Sequence, residues 1–145
     1  MDAIEMLKSE HKGAKGLMEE IAKATGAKRK QLFEKLMGEL ETHDRIEEQV
    51  FYPAVAANPK SASLPGADKK AHEAVEAILA TLHSLPVEDK TWITQFSAMQ
   101  KQLLAHVADE ETKYFVLIRT LLSTAELIAL GEKMKTAKKQ LVKVG

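Results

Sequence analysis

The sequence predicts an all-α protein, an up-down-up-down four-helix bundle followed by an additional C-terminal helix. Three observations carry that prediction. Apolar residues recur at spacings of three and four over long stretches, which is the period of one helix face. Ala, Leu, Lys and Glu are abundant while aromatics make up only 5 %, a mix that favours helices over sheets. Helix breakers then divide the chain: Gly26, the Pro-, Ser- and Gly-containing stretch Asn58 to Gly66, and Pro86. At 145 residues the expectation is one domain spanning 1–145, with the bundle over about 2–122 and a packing helix over about 124–142.

The first segment, about 2–24, places Ile4, Leu7, His11, Ala14, Met18 and Ile21 on one face. The second, about 28–57, does the same with Leu32, Leu36, Leu40, His43, Glu47, Val50 and Ala54. The third, about 67–85, carries His72, Val75, Leu79 and Leu82. The fourth, about 88–122, carries Trp92, Phe96, Met99, Leu103, His106, Glu110, Tyr114, Leu117 and Leu121. Ser123-Thr-Ala-Glu126 reads as a capping box that starts the fifth, whose apolar side is Leu127, Leu130, Met134 and Leu141. That last stripe holds no ligand-type residue and reads as a packing helix laid on the bundle.

The bulk numbers exclude several classes. Lys and Arg total 21 and Asp and Glu total 21, so no net field points to nucleic acid or a membrane surface. No stretch approaches the roughly 20 apolar residues of a membrane span. The amphipathic N-terminus lacks a signal peptide's apolar run, so the expected location is cytoplasmic. Cysteine is absent, which rules out disulfides, iron–sulfur clusters and thiol nucleophiles. A monomer or weak homodimer is expected.

The polar residues on the apolar stripes carry the functional argument. Buried charge is costly unless paired. Four helices each put a histidine inward: His11, His43, His72 and His106. Two of these belong to His-x-x-x-Glu strings, His43 to Glu47 and His106 to Glu110, and an i, i+4 pair stacks both side chains on one face. At about 1.5 Å of rise per residue, His11, Glu47, His72 and Glu110 fall within roughly 7–18 Å of one end of the bundle. Imidazole and carboxylate suit iron, zinc and manganese. Four His and two Glu exceed what one tetrahedral zinc needs, so two metals with shared carboxylates fit better.

Competing motifs are absent. No histidine has a glutamate three residues before it, so the Glu-x-x-His of ferritin-like bundles is missing. His72-Glu73-Ala-Val-Glu76 lacks the second histidine of the zinc-protease string. His83 reads as a helix-end residue favoured by the dipole. Glu48 and Glu111 each come directly after a candidate carboxylate and are expected to point roughly 100° away into solvent. Tyr114, one turn past Glu110, is the better placed tyrosine for hydrogen bonding at the site. Tyr52 points further from its stripe.

The ordered set His11, His43-x-x-x-Glu47, His72, His106-x-x-x-Glu110 resembles the hemerythrin-like, or HHE cation-binding, domain family. So does the flanking text Glu10-His11-Lys12 and Glu47-Glu48-Gln-Val-Phe-Tyr-Pro53. The resemblance runs over essentially the whole chain. It implies two iron ions in a non-heme, oxo- or hydroxo-bridged di-iron centre. His11, His43, His72 and His106 would be terminal ligands and Glu47 and Glu110 bridging carboxylates.

One departure stands out. Oxygen-carrying hemerythrins have a second histidine four residues after the third one, and this chain has Glu76 there. Glu76 is therefore a further candidate ligand. A third anionic ligand favours Fe(III), because charge around a metal tunes its potential. If Glu76 instead turns away, an exchangeable position opens on the metal. Both readings favour a small-molecule reactant, H2O2, NO or O2, in catalase-like, peroxidase-like or redox chemistry over reversible oxygen transport. The alternative is an O2- or iron-binding sensor or storage module without turnover.

Overall fold

The computed structural model describes the backbone of residues 1–144 and side chains through Leu141. It contains α1 (Ala3–Lys23), α2 (Gly26–Ile46), α3 (Tyr52–Ala56), α4 (Leu64–Ser84), α5 (Lys90–Asp109), α6 (Phe115–Leu121) and α7 (Thr124–Val144). Helices α2 and α3 are one rod interrupted by a π-turn over Glu47–Phe51, and α5 and α6 are another interrupted over Glu110–Tyr114. The result is the expected four-helix bundle with a fifth, C-terminal helix. No strand and no single helix long and apolar enough to cross a membrane occurs among the described residues.

Local chemistry sets the ends. Asp2 caps α1 in a capping box: its side chain accepts from the Glu5 amide, and the Glu5 side chain accepts from the Asp2 amide. The Ser123–Glu126 box expected at α7 forms in the same reciprocal way, at 2.9 and 3.1 Å. Between α1 and α2 the chain turns within two residues, and Gly26 takes φ +57°, where a Cβ would be strained. α4 starts at Leu64, three residues earlier than the loop composition predicts. Pro65 accounts for this, since proline suits the first helical turn, where its missing N–H costs nothing.

The apolar stripes meet in two separate cores. At one end Phe33, Leu36, Leu79, Leu82, Trp92, Phe96 and Met99 pack together, and the Trp92 indole N–H donates to the Leu82 carbonyl at 3.1 Å. At the other end Ile4, Leu7, Ile46, Phe51, Val55, Phe115 and Ile118 pack with Leu127, Leu130 and Met134 of α7. Each such side chain stabilises the fold by about 1.5–3 kcal/mol when fully buried. α7 lies so close to the start of α1 that a Cβ on Gly131 would sit 2.7 Å from the Met1 carbonyl oxygen. Along α1, His11 falls between Leu7 of one core and Ala14 of the other, and His43 on α2 falls between Leu40 and Ile46 in the same way. The polar residues therefore form a layer between two apolar cores.

Candidate metal centre

Eight side chains converge in that layer. His11, His43, Asp44, Glu47, Asp68, His72, His106 and Glu110 are all buried, with Glu47, Asp68 and Glu110 fully so. Every histidine turns its Nε2 inward onto carboxylate oxygens. Glu110 spans His11 and His106, at 3.3 and 3.2 Å. Glu47 spans His43 and His72, at 3.0 and 3.1 Å. Asp68 spans His72 and His106, at 2.9 Å to each. His11, His43 and Glu110 form one group whose ligand atoms lie within 4.8 Å of one another, and Asp68, His72 and His106 form a second. Glu47, Asp68 and Glu110 form a third that joins them, and His43, Asp44 and Glu47 form a fourth.

The π-turns place two of these carboxylates. Each turn opens on its glutamate, and the closing bonds run i+5 to i: the Tyr52 amide donates to the Glu47 carbonyl, and the Phe115 amide to the Glu110 carbonyl. Such turns insert an extra residue into a helix and are frequent at functional sites. They also rotate the residues after the carboxylate. Glu48 stays exposed, as expected, while reaching toward His72, whereas Glu111 is half-buried and turns back to His11. Glu111 Oε2 lies 2.7 Å from His11 Nδ1, and Glu48 Oε1 lies 3.4 Å from His72 Nδ1. Glu10, from α1, holds His43 Nδ1 at 2.8 Å and is itself paired with Lys138 of α7 at 2.7 Å. An Nδ1–H that donates outward leaves the lone pair on Nε2 facing inward, the tautomer a metal requires.

This crowding sets the protonation of the cluster. Burial works to lower the pKa of His72, but Asp68, Glu47 and Asp44 outweigh it and push it up to about 12. Burial likewise opposes the rise at His106, where Asp68 and Glu110 push it up to about 10. Burial, then repulsion from Glu110, raises Glu47 to about 7. Glu110 goes the other way: burial is overcome by hydrogen bonds, those from His106 and His11 among them, and it stays well below the usual carboxylate range. Burial resists the fall at Glu10, which His43 and Lys138 bring down to about 2.

Several of these atoms lack hydrogen bonds despite their short separations. His11 Nε2, His106 Nε2, Glu47 Oε2, both Asp68 oxygens and Glu110 Oε1 are buried without a properly directed partner. Buried polar atoms are rarely left so. Orphaned imidazole nitrogens and carboxylate oxygens facing one another are a donor set that a cation satisfies, so the residues fit a metal.

Not all of the candidates expected from sequence meet here. The structure brings His11, His43, Glu47, His72, His106 and Glu110 together. Glu76 stands apart: it is exposed and outside all four groups. Its neighbour is Asp44, a buried carboxyl that burial first, and then Glu76, helps raise to about 7 against the pull of His72 and His43. The place expected for Glu76 is taken from the other side of His72 by Asp68. The spacing Asp68-x-x-x-His72 was the available signal, the His-x-x-x-Glu pair written in reverse, hidden because Asp68 reads as an N-terminal helix acid. The tyrosines also exchange roles. Tyr52 is buried and its hydroxyl donates to Glu110 Oε2 at 3.3 Å, while Tyr114 is only half-buried. His83 is exposed at the end of α4, as expected.

Comparison with known proteins agrees with this geometry. Residues 2–118 match the Hemerythrin HHE cation binding domain family. Uncharacterized proteins of Mycobacterium tuberculosis and Mycobacterium bovis are 32 % identical over 145 residues, covering 97 % of this chain and 88 % of theirs. The crystal structure of a hemerythrin HHE cation-binding domain-containing protein from Mycobacterium kansasii superposes with a TM-score of 0.86 at 31 % identity. That match covers 97 % of this chain and 86 % of the other.

Proposed function

The chain belongs to the hemerythrin HHE cation-binding domain family, and we propose that it holds two non-heme iron ions that react with peroxide, nitric oxide or O2. The observation that carries this reading is the pair of two-histidine, one-carboxylate groups joined by shared carboxylates. Two histidines and a carboxylate with positions left open are the ligand set of non-heme Fe(II) sites. Eight candidate ligand residues also exceed the four that a structural zinc takes up. His11, His43 and Glu110 would hold one ion, and His72, His106 and Asp68 the other, with Glu47 shared.

Bound iron supplies two-electron exchange through the Fe(II) and Fe(III) states, the currency of peroxide chemistry. The chain supplies the rest. Glu10, Glu48 and Glu111 fix the ring orientation of three histidines. Phe51 and Phe115 keep water from one side of the layer. Tyr52 holds a proton on its hydroxyl beside Glu110, since burial and the neighbouring carboxylates push its pKa upward. A neutral buried O–H that keeps its proton is a positioned hydrogen-bond donor beside the centre. Reaction is favoured over reversible oxygen carriage because a third carboxylate stabilises the oxidised metal. Asp68 supplies that carboxylate in place of Glu76.

Metal analysis with an absorption spectrum tests the proposal. Protein grown with ample iron is expected to carry about two iron ions per chain and to evolve O2 from peroxide over many turnovers. One zinc per chain would sink the di-iron reading. Peroxide consumed only once per centre would move the assignment to a sensor or storage role.

A further inference from the structure

A cavity of about 560 Å³ runs from the α1–α2 face down to the histidine layer. Its inner end is lined by His11, His43, His72, His106 and Glu110. Its walls are apolar, with Ala14, Met18, Leu40, Leu103 and Val107 among them. A peroxide or diatomic molecule needs about the volume of one water, roughly 30 Å³. Cavities of roughly 300–1,000 Å³ with apolar walls and a few convergent polar groups are what organic ligands occupy. This space is therefore far larger than the small reactants require.

The mouth is kept open by sequence. Gly13 on α1 and Gly38 on α2 both line the cavity, and a Cβ added at either meets nothing within 4 Å. Glycine is a poor residue for a helix interior, and neither site needs it for backbone conformation or close packing. The rim also carries Lys15, Lys35 and Lys138 against Glu10, Glu34 and Glu39. These rim charges balance, and the deeper Asp44 and Glu110 add only carboxylates, so the lining does not draw in an anionic ligand.

We propose that this cavity binds the alkyl body of a neutral hydroperoxide and directs its O–O group to the histidine layer, making alkyl hydroperoxides a substrate class of this protein. The inference rests on the di-iron reading for its chemistry. Reduction of ROOH to ROH and water breaks the O–O bond and takes up two electrons and two protons. The electrons come from two Fe(II) becoming Fe(III), the protons come from solvent, and a two-electron reductant of the thiol or ascorbate class, added in the assay, returns both irons to Fe(II) before the next turnover.

Binding and reaction are tested separately. Calorimetry with 1-octanol, an unreactive analogue of the product alcohol, is expected to detect binding to the wild-type chain with or without metal. Gly13→Leu and Gly38→Leu, which fill the mouth and improve helix propensity, are expected to weaken that binding at least tenfold. They are also expected to slow consumption of cumene hydroperoxide by a similar factor and that of hydrogen peroxide by much less. Absence of octanol binding at millimolar concentration, or equal binding by the variants, overturns the cavity assignment. Consumption of hydrogen peroxide but not of cumene hydroperoxide overturns the substrate class. Failure of the iron-loaded protein with both peroxides instead removes the proposed function, while the calorimetry still decides whether the cavity takes an alkyl ligand.

Discussion

The two π-turns share a pattern and end differently. Glu47-Glu48-Gln-Val-Phe51-Tyr52 and Glu110-Glu111-Thr-Lys-Tyr114-Phe115 each open on a buried carboxylate. In each, the next glutamate reaches a histidine Nδ1. In each, two aromatic residues close the run, but in opposite order. The residue five after the carboxylate is buried in both, so one half buries Tyr52 and the other Phe115. Tyr52 sends a hydroxyl across to Glu110. Phe115 stacks on His11, with ring centroids 6.0 Å apart and planes 6° from parallel. The outer glutamates differ too: Glu111 sits 2.7 Å from its histidine and Glu48 3.4 Å. The repeated backbone turn fixes where the carboxylates go. The side chains around it make one half tightly clamped and apolar and the other looser, with a hydroxyl at hand.

The largest expected effect falls on the metal that the two halves share. Loading with metal at about a thousand times its Kd adds about 4 kcal/mol. At roughly 2–4 °C per kcal/mol for a chain of this size, chelation is expected to lower the Tm by about 10 °C. Equal melting of chelated and loaded protein in a calorimeter would refute this. Loading is also expected to release protons, at least the two held by His72 and His106 with pKa values pushed up to about 12 and about 10. Protons compete for those nitrogens below these values, so apparent metal affinity rises with pH. Titration in dilute buffer at pH 8 measures the release, and none would contradict the protonated cluster.

Next in size is the contrast between Asp68 and Glu76. Asp68→Ala is expected to lower metal content from about two ions per chain toward one, because it removes the carboxylate that reaches both His72 and His106. Glu76→Ala is expected to leave the content unchanged, as an exposed side chain outside the groups. Equal metal loss in both variants would restore Glu76 as a ligand.

The halves themselves are separated by their aromatic residues. Tyr52→Phe is expected to keep metal content and slow peroxide turnover by about 10²-fold, the low end for losing a positioned hydrogen-bond donor. Tyr114→Phe, at the half-buried position, is expected to be silent. Stopped-flow rates at matched iron content decide it. A silent Tyr52→Phe would mean that the hydroxyl only fills space.

The smallest effect concerns the outer glutamates. Glu111→Gln is expected to weaken metal binding by about tenfold, as loss of a histidine's outer partner does. Glu48→Gln should cost less, since its contact is longer and its side chain more exposed. A chelator competition series that reverses this order would show that the difference between the halves does not reach the metal.

Much of this was legible in the primary structure, for definite reasons. A stripe such as Leu7, His11, Ala14, Met18 survives any packing arrangement, because one face of each helix must be buried. A His on that stripe then has to be satisfied, which brings His11, His43, His72 and His106 inward before any tertiary contact is known. Asp68 and the half-buried Glu111 escaped for separate local reasons. Periodicity at 100° per residue assumes a regular α-helix, and it puts the residue after a buried carboxylate in solvent. A π-turn breaks that arithmetic, and nothing in Glu110-Glu111-Thr-Lys-Tyr114 declares an i+5 bond. Asp68 lies in the first turns of α4, where a carboxylate already has a local explanation near a helix N-terminus.

The sequence by itself determined the helices, their inward faces and six of the eight residues that meet between the cores, because burial of an amphipathic stripe is a local property. Tertiary structure alone decided which carboxylates complete the set, which tyrosine reaches it and which glutamates brace the histidines. Those depend on how far one helix turns against its neighbour. The extra residue of each π-turn changes that rotation.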